Sequence, residues 1–389
     1  MSKNRCLLCK SKKFTELLKI EQFPIFFGAI PQNKQGDVQC YPLTIAICDE
    51  CALVQQINLL DEVVLNEVYQ AEYYNCPSPM ASGMGVREIG KFYSFFQDCH
   101  LKKGKLLEIA CFDGYLLNKF QNDGWDVYGC DPSTMTKVAM ETLGSDRIIN
   151  DFFTSESFAT DNFDVIIFRN LLEHLYDIHS FIDAVSRCLK IGGRIFVDVP
   201  NIKEILKIGG IGTFFHQHIT YFSVNTLSYL LAQHGFAIEK THEGNPNLFV
   251  SAVKKTETQT DITKIQYLIK NEINQYIIAD QDSKKYINKI FHERPYHTIG
   301  LFGASVLATS IITYLESEQI SKIKYIFDND SQKHGKLLIG CDAVIQPPEE
   351  LINSKFDVIL ITTYLFHEEI KKQLVKMGVG QKKIITFRN

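Results

Sequence analysis

The chain has 389 residues, 45% of them hydrophobic and 22% charged, so it can bury cores of its own and is too apolar to stay disordered. Its 41 basic and 45 acidic residues leave a net charge of −4, which argues against a protein held on nucleic acid or on an anionic membrane by bulk charge. The longest apolar stretches, Phe163 to Phe168 and Val358 to Ile361, fall far short of the roughly 20 residues that cross a bilayer, and MSKNRCLLCKSKK lacks a signal-like apolar core, so a cytoplasmic location is expected.

At roughly 100–200 residues per domain, the length predicts two to four domains. Residues 1–68 hold two tight cysteine pairs, Cys6/Cys9 and Cys48/Cys51, among Gly, Pro and short alternating runs such as YPLTIAIC. That is the pattern of a small β-rich module, too small for a large core and expected to be stapled by metal. Each Cys-x-x-Cys turn points two thiolates at one ion, so Cys6, Cys9, Cys48 and Cys51 are the predicted zinc ligands. Four sulfurs leave no open position for a substrate, which makes the site structural. An odd total of 11 cysteines without an export signal argues against a disulfide framework.

A tyrosine-rich stretch, VYQAEYYNCPSP, and a helix-like run, VREIGKFYSFFQDC, come next. From Lys105 the rhythm changes: KLLEIACF reads as a strand, GYLLNKFQNDG as a helix ending at a glycine and WDVYGCD as a second strand. FDVIIFRN is a third strand, SFIDAVSRCLKIGG a helix with a glycine stop, and RIFVDVP a fourth strand. Such alternation predicts an α/β fold, a parallel sheet with helices on both faces. Polar TETQTDITK reads as a linker and is followed by a long amphipathic run to about Phe291. The alternation then restarts in HTIGLFGAS, IKYIFDND, AVIQPPEEL, FDVILITT and KKIITF. The predicted partition is a zinc-binding domain over 1–68, an α/β domain over 69–255, a helical linker over 256–290 and a second Rossmann-like unit over 291–389.

Within LLEIACFDGYLL, an apolar strand ends in Glu108, the small Ala110 follows, and Asp113-Gly114 turns into a helix whose N-terminus favours electronegative groups. Asp131, 23 residues after Glu108, ends the next strand, where an acid can accept both hydroxyls of a ribose. The G-x-G-x-x-G of a dinucleotide site is absent. A loop with an acid, a small residue and one later glycine suits S-adenosylmethionine instead, with its ammonium and sulfonium. GTFFHQHITYFS then places His216, Gln217, His218 and Tyr221 within six residues, and imidazole is the side chain best matched to proton transfer near neutral pH.

The segment from about 105 to 201 resembles a class I methyltransferase, with DVIIFRNLLEHL and LKIGGRIFVDVP at the family's fourth and fifth motif positions. That resemblance places Asn170 and Leu171 beside the cofactor and reads His174 as structural. The wider order of cysteine knuckles, tyrosine-rich entry, methyltransferase core, aromatic–histidine segment and second Rossmann-like unit resembles the three-domain sugar C-methyltransferases of deoxysugar biosynthesis. CDECALVQQ, EIACFDGYLL, YGCDPS, HQHITYFS and GLFGASVLATS carry that likeness. It implies methyl transfer from S-adenosylmethionine to a carbon of a nucleotide-linked 4-keto-6-deoxysugar through an enolate. His218 falls at the family's base position, with an upstream tyrosine, Tyr73 or Tyr74, beside the sugar.

The sequence departs from that pattern at Phe215, where the family has Tyr, at Gln217, where it has Glu, and in EGNPNLFV, where it has a Gly-Gly-Ser-Leu run. O- or N-methylation of another sugar or small metabolite is therefore a second reading, and a non-catalytic sugar-nucleotide-binding protein a third. Gly303-Ala304-Ser305 and Asp328 are expected to serve the acceptor's nucleotide or an interface between units. The expected partner is a nucleotide sugar, with no nucleic acid and no membrane, and the expected state is a monomer with oligomers left open.

Overall fold

The computed structural model describes residues 5–26, 28–65, 78–82, 85–209, 211–255, 269–364 and 366–387. The chain begins with an antiparallel meander of β1 (Phe14–Pro24), β2 (Cys40–Cys48) and β3 (Val54–Ile57). β2 is buried continuously from Leu43 to Cys48, as an aliphatic strand covered on both faces must be. A cysteine turn precedes β1 and another joins β2 to β3. Both close in the same way: Lys10 N donates to Cys6 O at 2.9 Å and Ala52 N donates to Cys48 O at 2.8 Å.

The second sheet starts with five parallel strands: β4 (Lys105–Ile109), β5 (Asp126–Cys130), β6 (Ile148–Ile149), β7 (Phe163–Arg169) and β8 (Leu189–Pro200). β9 (Thr220–Tyr221) lies outside this sheet, and β11 (Asn247–Lys254), antiparallel to β8, and β10 (Phe236–Glu243), antiparallel to β11, complete its edge. The order is β10-β11-β8-β7-β4-β5-β6. The winding reverses at β4, which has β5 on one side and β7 on the other, so the crevice for a ligand opens at the carboxyl ends of these strands. Val165 through Phe168 are fully or almost fully buried, the continuous apolar run of a strand with helices on both faces.

The structure differs from the expected glycine-stopped helix at SFIDAVSRCLKIGG. The helix Ile178–Cys188 ends at Cys188, and the Lys-Ile-Gly-Gly run lies inside β8. Pairing with β7 jumps from Phe163↔Leu189 to Val165↔Arg194, so the extra residues loop out as a bulge, with Gly192 at φ 77°. Glycine serves a strand irregularity there rather than a helix end.

β9 pairs with β3, Val54 opposite Tyr221 and Gln55 opposite Thr220. The first sheet therefore takes its fourth strand from residues 220–221. Leu43, Ile45, Val54, Phe214, Tyr221 and Tyr276 share one buried cluster across that junction. The third sheet joins β12 (Ile299–Phe302), β13 (Ile323–Phe327), β14 (Ile345–Gln346), β15 (Val358–Ile361) and β16 (Ile384–Thr386), all parallel, in the order β14-β13-β12-β15-β16. The helix Ile269–Asn288 precedes it, while the expected linker TETQTDITK lies outside the described residues. Among the described residues, no helix is long and apolar enough to cross a membrane.

Candidate active site

At the end of β4 the backbone enters the left-handed region three times in five residues, at Ala110 (φ 61°), Phe112 (φ 52°) and Gly114 (φ 76°). Such strain persists only where surrounding contacts fix it. Ala110 N donates to Cys130 O at 2.8 Å, and Phe112 N donates to Asp131 Oδ2 at 3.0 Å. Asp131 Oδ1 accepts from Ser133 N at 2.8 Å, so this buried acid is held by two backbone donors with lone pairs left for hydroxyl groups.

Asp113 is also buried, but its carboxylate is engaged by the protein itself. Oδ2 accepts from Ser78 Oγ at 2.6 Å and Met80 N at 2.8 Å, and Oδ1 accepts from Tyr115 N at 3.0 Å. It fastens the segment before the second sheet onto the loop after β4. At Gly114 a Cβ would stand 2.9 Å from Ala139 Cβ, so the glycine admits the helix Thr136–Leu143 against the helix Tyr115–Asn122.

Glu108 is 4% exposed, and its Oε2 has no hydrogen-bond partner. Burial pushes its carboxyl up to about 8; Arg169 pulls the other way, and Asp113 and Asp131 add to the rise. An orphaned carboxylate beside two further acids suits the cationic end of a ligand, and Asp131 suits a diol, so the residues fit S-adenosylmethionine. Asn170 (φ 46°) is exposed after β7, its N–H donating to Asp198 O at 2.8 Å, and Leu171 packs half-buried on the core. The Arg169 guanidinium pairs with fully buried Asp198 at 2.8 Å.

The second half of the site is the 215–218 segment. Gln56 Nε2 contacts three of its carbonyls, those of Phe215 at 3.1 Å, His216 at 2.8 Å and His218 at 2.6 Å. His218 faces His174 edge to face, ring centroids 4.8 Å apart, and lies 4.2 Å from the Phe215 ring. Its Nδ1 has no hydrogen-bond partner, and burial together with His174 holds the imidazole well below its usual range, hence unprotonated. His174 Nδ1 lies 2.7 Å from Gln217 O; a carbonyl can only accept, so that nitrogen carries the proton.

His216 and Gln217 turn elsewhere: His216 Nε2 bonds Phe23 O at 3.2 Å, and Gln217 Nε2 donates to Ile25 O at 2.9 Å. Their side chains hold down the end of β1, and the structure does not bring them to the His218 ring. Tyr73 and Tyr74 lie outside the described residues.

The four cysteine sulfurs lie within 4.8 Å of one another, Cys6 to Cys51 at 3.4 Å and Cys9 to Cys48 at 3.5 Å. These separations exceed the ~2.05 Å of a disulfide and come close to the ~3.8 Å edge of a tetrahedron with ~2.3 Å zinc–sulfur bonds. In the third sheet, Asp328 repeats the wiring of Asp131: Ala304 N donates to its Oδ2 at 2.7 Å and Asp330 N to its Oδ1 at 2.8 Å. Lys333 Nζ adds an ion pair at 3.1 Å, which Asp131 lacks among the contacts described.

Residues 81–241 match the family described as methyltransferase domain, and that stretch contains β4 through β9 together with Glu108, Asp131, Glu173 and His218. The chain is an S-adenosylmethionine-dependent methyltransferase. The non-catalytic reading is thereby overtaken.

Residues 296–385 match a second family, described as C2185-like, N-terminal. The methyltransferase is 22% identical to C-methyltransferase NovU of Streptomyces niveus over 96% of this chain and 94% of that one. It is 32% identical over 112 residues to a ubiquinone biosynthesis O-methyltransferase of Brucella anthropi, spanning 44% of that relative's length. Among solved structures it is similar to the 1,6-didemethyltoxoflavin-N1-methyltransferase of Burkholderia thailandensis, with a TM-score of 0.41 and 16% identity over 55% of this chain and 96% of that one.

Two residues of this candidate site have no role in the sequence pattern: Gln56, within CDECALVQQ, and Glu173, within DVIIFRNLLEHL. The adjacency of Glu173 and His174 was the available signal, and only burial separates it from a solvated pair.

Proposed function

We propose that this methyltransferase acts on carbon, methylating the position beside the ketone of a nucleotide-linked 4-keto-deoxysugar through an enolate. The observation that carries the reading is His218: a half-buried, unprotonated imidazole whose buried Nδ1 has no hydrogen-bond partner, its own carbonyl clamped by Gln56, set against the loop that follows β7. The near full-length likeness to a C-methyltransferase supports it. His218 takes the proton from the carbon beside the ketone, and the C–H electron pair moves into the enolate, leaving the charge on oxygen. Bound S-adenosylmethionine supplies a methyl group made electrophilic by its sulfonium. Glu108 and Asp131 hold the cofactor, the loop Ala110–Gly114 and Asn170–Leu171 border it, and Tyr73 or Tyr74 lies beside the sugar. His216 and Gln217 shape the acceptor pocket by fixing the end of β1 against it. Cys6, Cys9, Cys48 and Cys51 hold a structural zinc, the third sheet forms a second Rossmann-like unit for the acceptor's nucleotide, and the enzyme works in the cytoplasm.

The test is incubation with nucleotide 4-keto sugars in heavy water. Wild type is expected to admit solvent deuterium at the carbon beside the ketone, and His218→Ala to lose about 10²–10⁴-fold of that rate while still binding the cofactor by calorimetry. A sugar shown to bind without exchange, and methylated on oxygen or nitrogen, would replace this reading with the second one. That alternative is favoured by Phe215 and Gln217 and by the stretch of 32% identity to an O-methyltransferase.

A further inference from the structure

The reading of His218 as base leaves a gap, because the residue next to it is an amide, Gln217, whose side chain is turned to Ile25 O. A carboxylate reaches the same place from another element. Glu173, in the turn Leu172–His174 after β7, is 1% exposed, and neither of its oxygens has a hydrogen-bond partner. One oxygen of Glu173, one ring nitrogen of His174 and one of His218 all lie within 4.8 Å of one another. A carboxylate so buried and unpaired is costly unless something completes it.

The backbone around it is tied on both sides. Ile219 N donates to Glu173 O at 2.7 Å, and Gln56 N donates to Ile219 O at 2.9 Å, so the turn and the 215–219 segment are held face to face. His174 has its Nδ1–H engaged by Gln217 O, and its Nε2 stands 3.9 Å from Glu173 Oε1.

We infer that Glu173 is the positioning partner of His218, accepting the N–H of one ring nitrogen so that the lone pair of the other faces the substrate. The inference rests on the reading of His218 as base in enolate formation. The proton leaving the substrate carbon goes to the free nitrogen of His218, the C–H electron pair stays in the enolate, and the ionised Glu173 balances the imidazolium charge. Carboxylate–imidazole pairs orient a base in this manner elsewhere.

The pair must lose one proton to work. Burial pushes the Glu173 carboxyl up to about 8, its own backbone N–H and Arg169 pull it down, and Asp198 pushes it up. Among the described residues, His174 and the Tyr221 ring are the other titratable groups facing His218.

Rates of deuterium exchange and of methyl transfer are measured against pH for wild type, Glu173→Gln and Glu173→Asp, with melting curves as folding controls. Wild type is expected to show an acid limb near pH 8. Glu173→Gln should lose that limb, with kcat down about 10²-fold and KM little changed, and Glu173→Asp should recover part of the rate. A Glu173→Gln enzyme with the wild-type rate and limb would overturn the inference. So would a second equivalent of divalent metal, bound by wild type and lost in Glu173→Gln, since the three groups would then hold an ion. If Glu173→Gln fails to fold, the wild-type profile at saturating S-adenosylmethionine decides, because the Glu108-dependent affinity then no longer varies the rate: a limb near 8 supports the pair and its absence overturns it. Failure of the parent reading looks different, because wild type itself would then exchange no deuterium.

Discussion

Glu108 and Glu173 are both carboxyls pushed up to about 8, and what faces each one separates their roles. Glu108 looks toward Asp113 and Asp131, a ring of negative charge that a cationic ligand relieves. Its folded value lies above the ordinary carboxyl range, so the stability it contributes is complete below about pH 4.5 and is lost as pH rises through 8. A bound cation reverses the preference and releases a proton. The affinity for S-adenosylmethionine should therefore rise between pH 6 and 8 and level off above. Glu108→Gln should bind about tenfold more weakly, with that pH dependence gone. Calorimetry across buffers of different ionisation enthalpy reads both effects, and an unchanged affinity with an unchanged slope would place Glu108 away from the cofactor.

At the scale of elements, the loop after β4 depends on how closely the helices Tyr115–Asn122 and Thr136–Leu143 approach. Gly114 sits at φ 76°, and an added Cβ would meet Ala139 Cβ at 2.9 Å and Ala139 Cα at 3.2 Å. A left-handed alanine costs roughly 1–2 kcal/mol, and backbone on the far side cannot give way as a flexible side chain would. Gly114→Ala is thus expected to lose about 2 kcal/mol or more in urea unfolding and to loosen the loop from Ala110 to Asp113. An unchanged midpoint would mean that the two helices do not meet there. Elements of this kind were legible in the sequence because their signals are local: apolar strand runs, the helix that stops before Gly124, acids at strand ends. The Lys-Ile-Gly-Gly run was misread because a glycine pair marks a helix stop and a strand bulge equally well, and the pairing of β8 with β7 selects the bulge. The directions of His216, Gln217 and His218 were not legible either. Their neighbours lie some 160 to 190 residues away, at Gln56, Phe23 and Ile25, and short-range pattern carries no trace of them.

Across the whole molecule, the cysteine cluster and the proposed base belong to one mechanical unit. β3 leaves the second cysteine turn and pairs with β9, which starts two residues after His218, and Gln56 on β3 grips the carbonyl of His218. Gln55 beside it grips the first turn, accepting from Leu7 N at 2.8 Å. Cys6, Cys48 and Cys51 lie in the same buried cluster as Leu107, Ile166 and Val197 of the second sheet, and His179 bonds Leu8 O at 2.8 Å from the helix Ile178–Cys188. Removing a metal from the four sulfurs should therefore reach the active site. With metal at about 100 times its dissociation constant, mass action adds about 2.7 kcal/mol of stability. Stripping it with a strong chelator, or replacing Cys48 by Ser, is expected to lower Tm by several degrees. The rate of His218-dependent deuterium exchange should fall in parallel, while affinity for S-adenosylmethionine, proposed to rest on the loop after β4, changes far less. Metal analysis with a thiol titration before and after chelation checks the ligand set. Exchange that continues at the full rate in a metal-free enzyme would show that the β3–β9 junction holds His218 in place unaided.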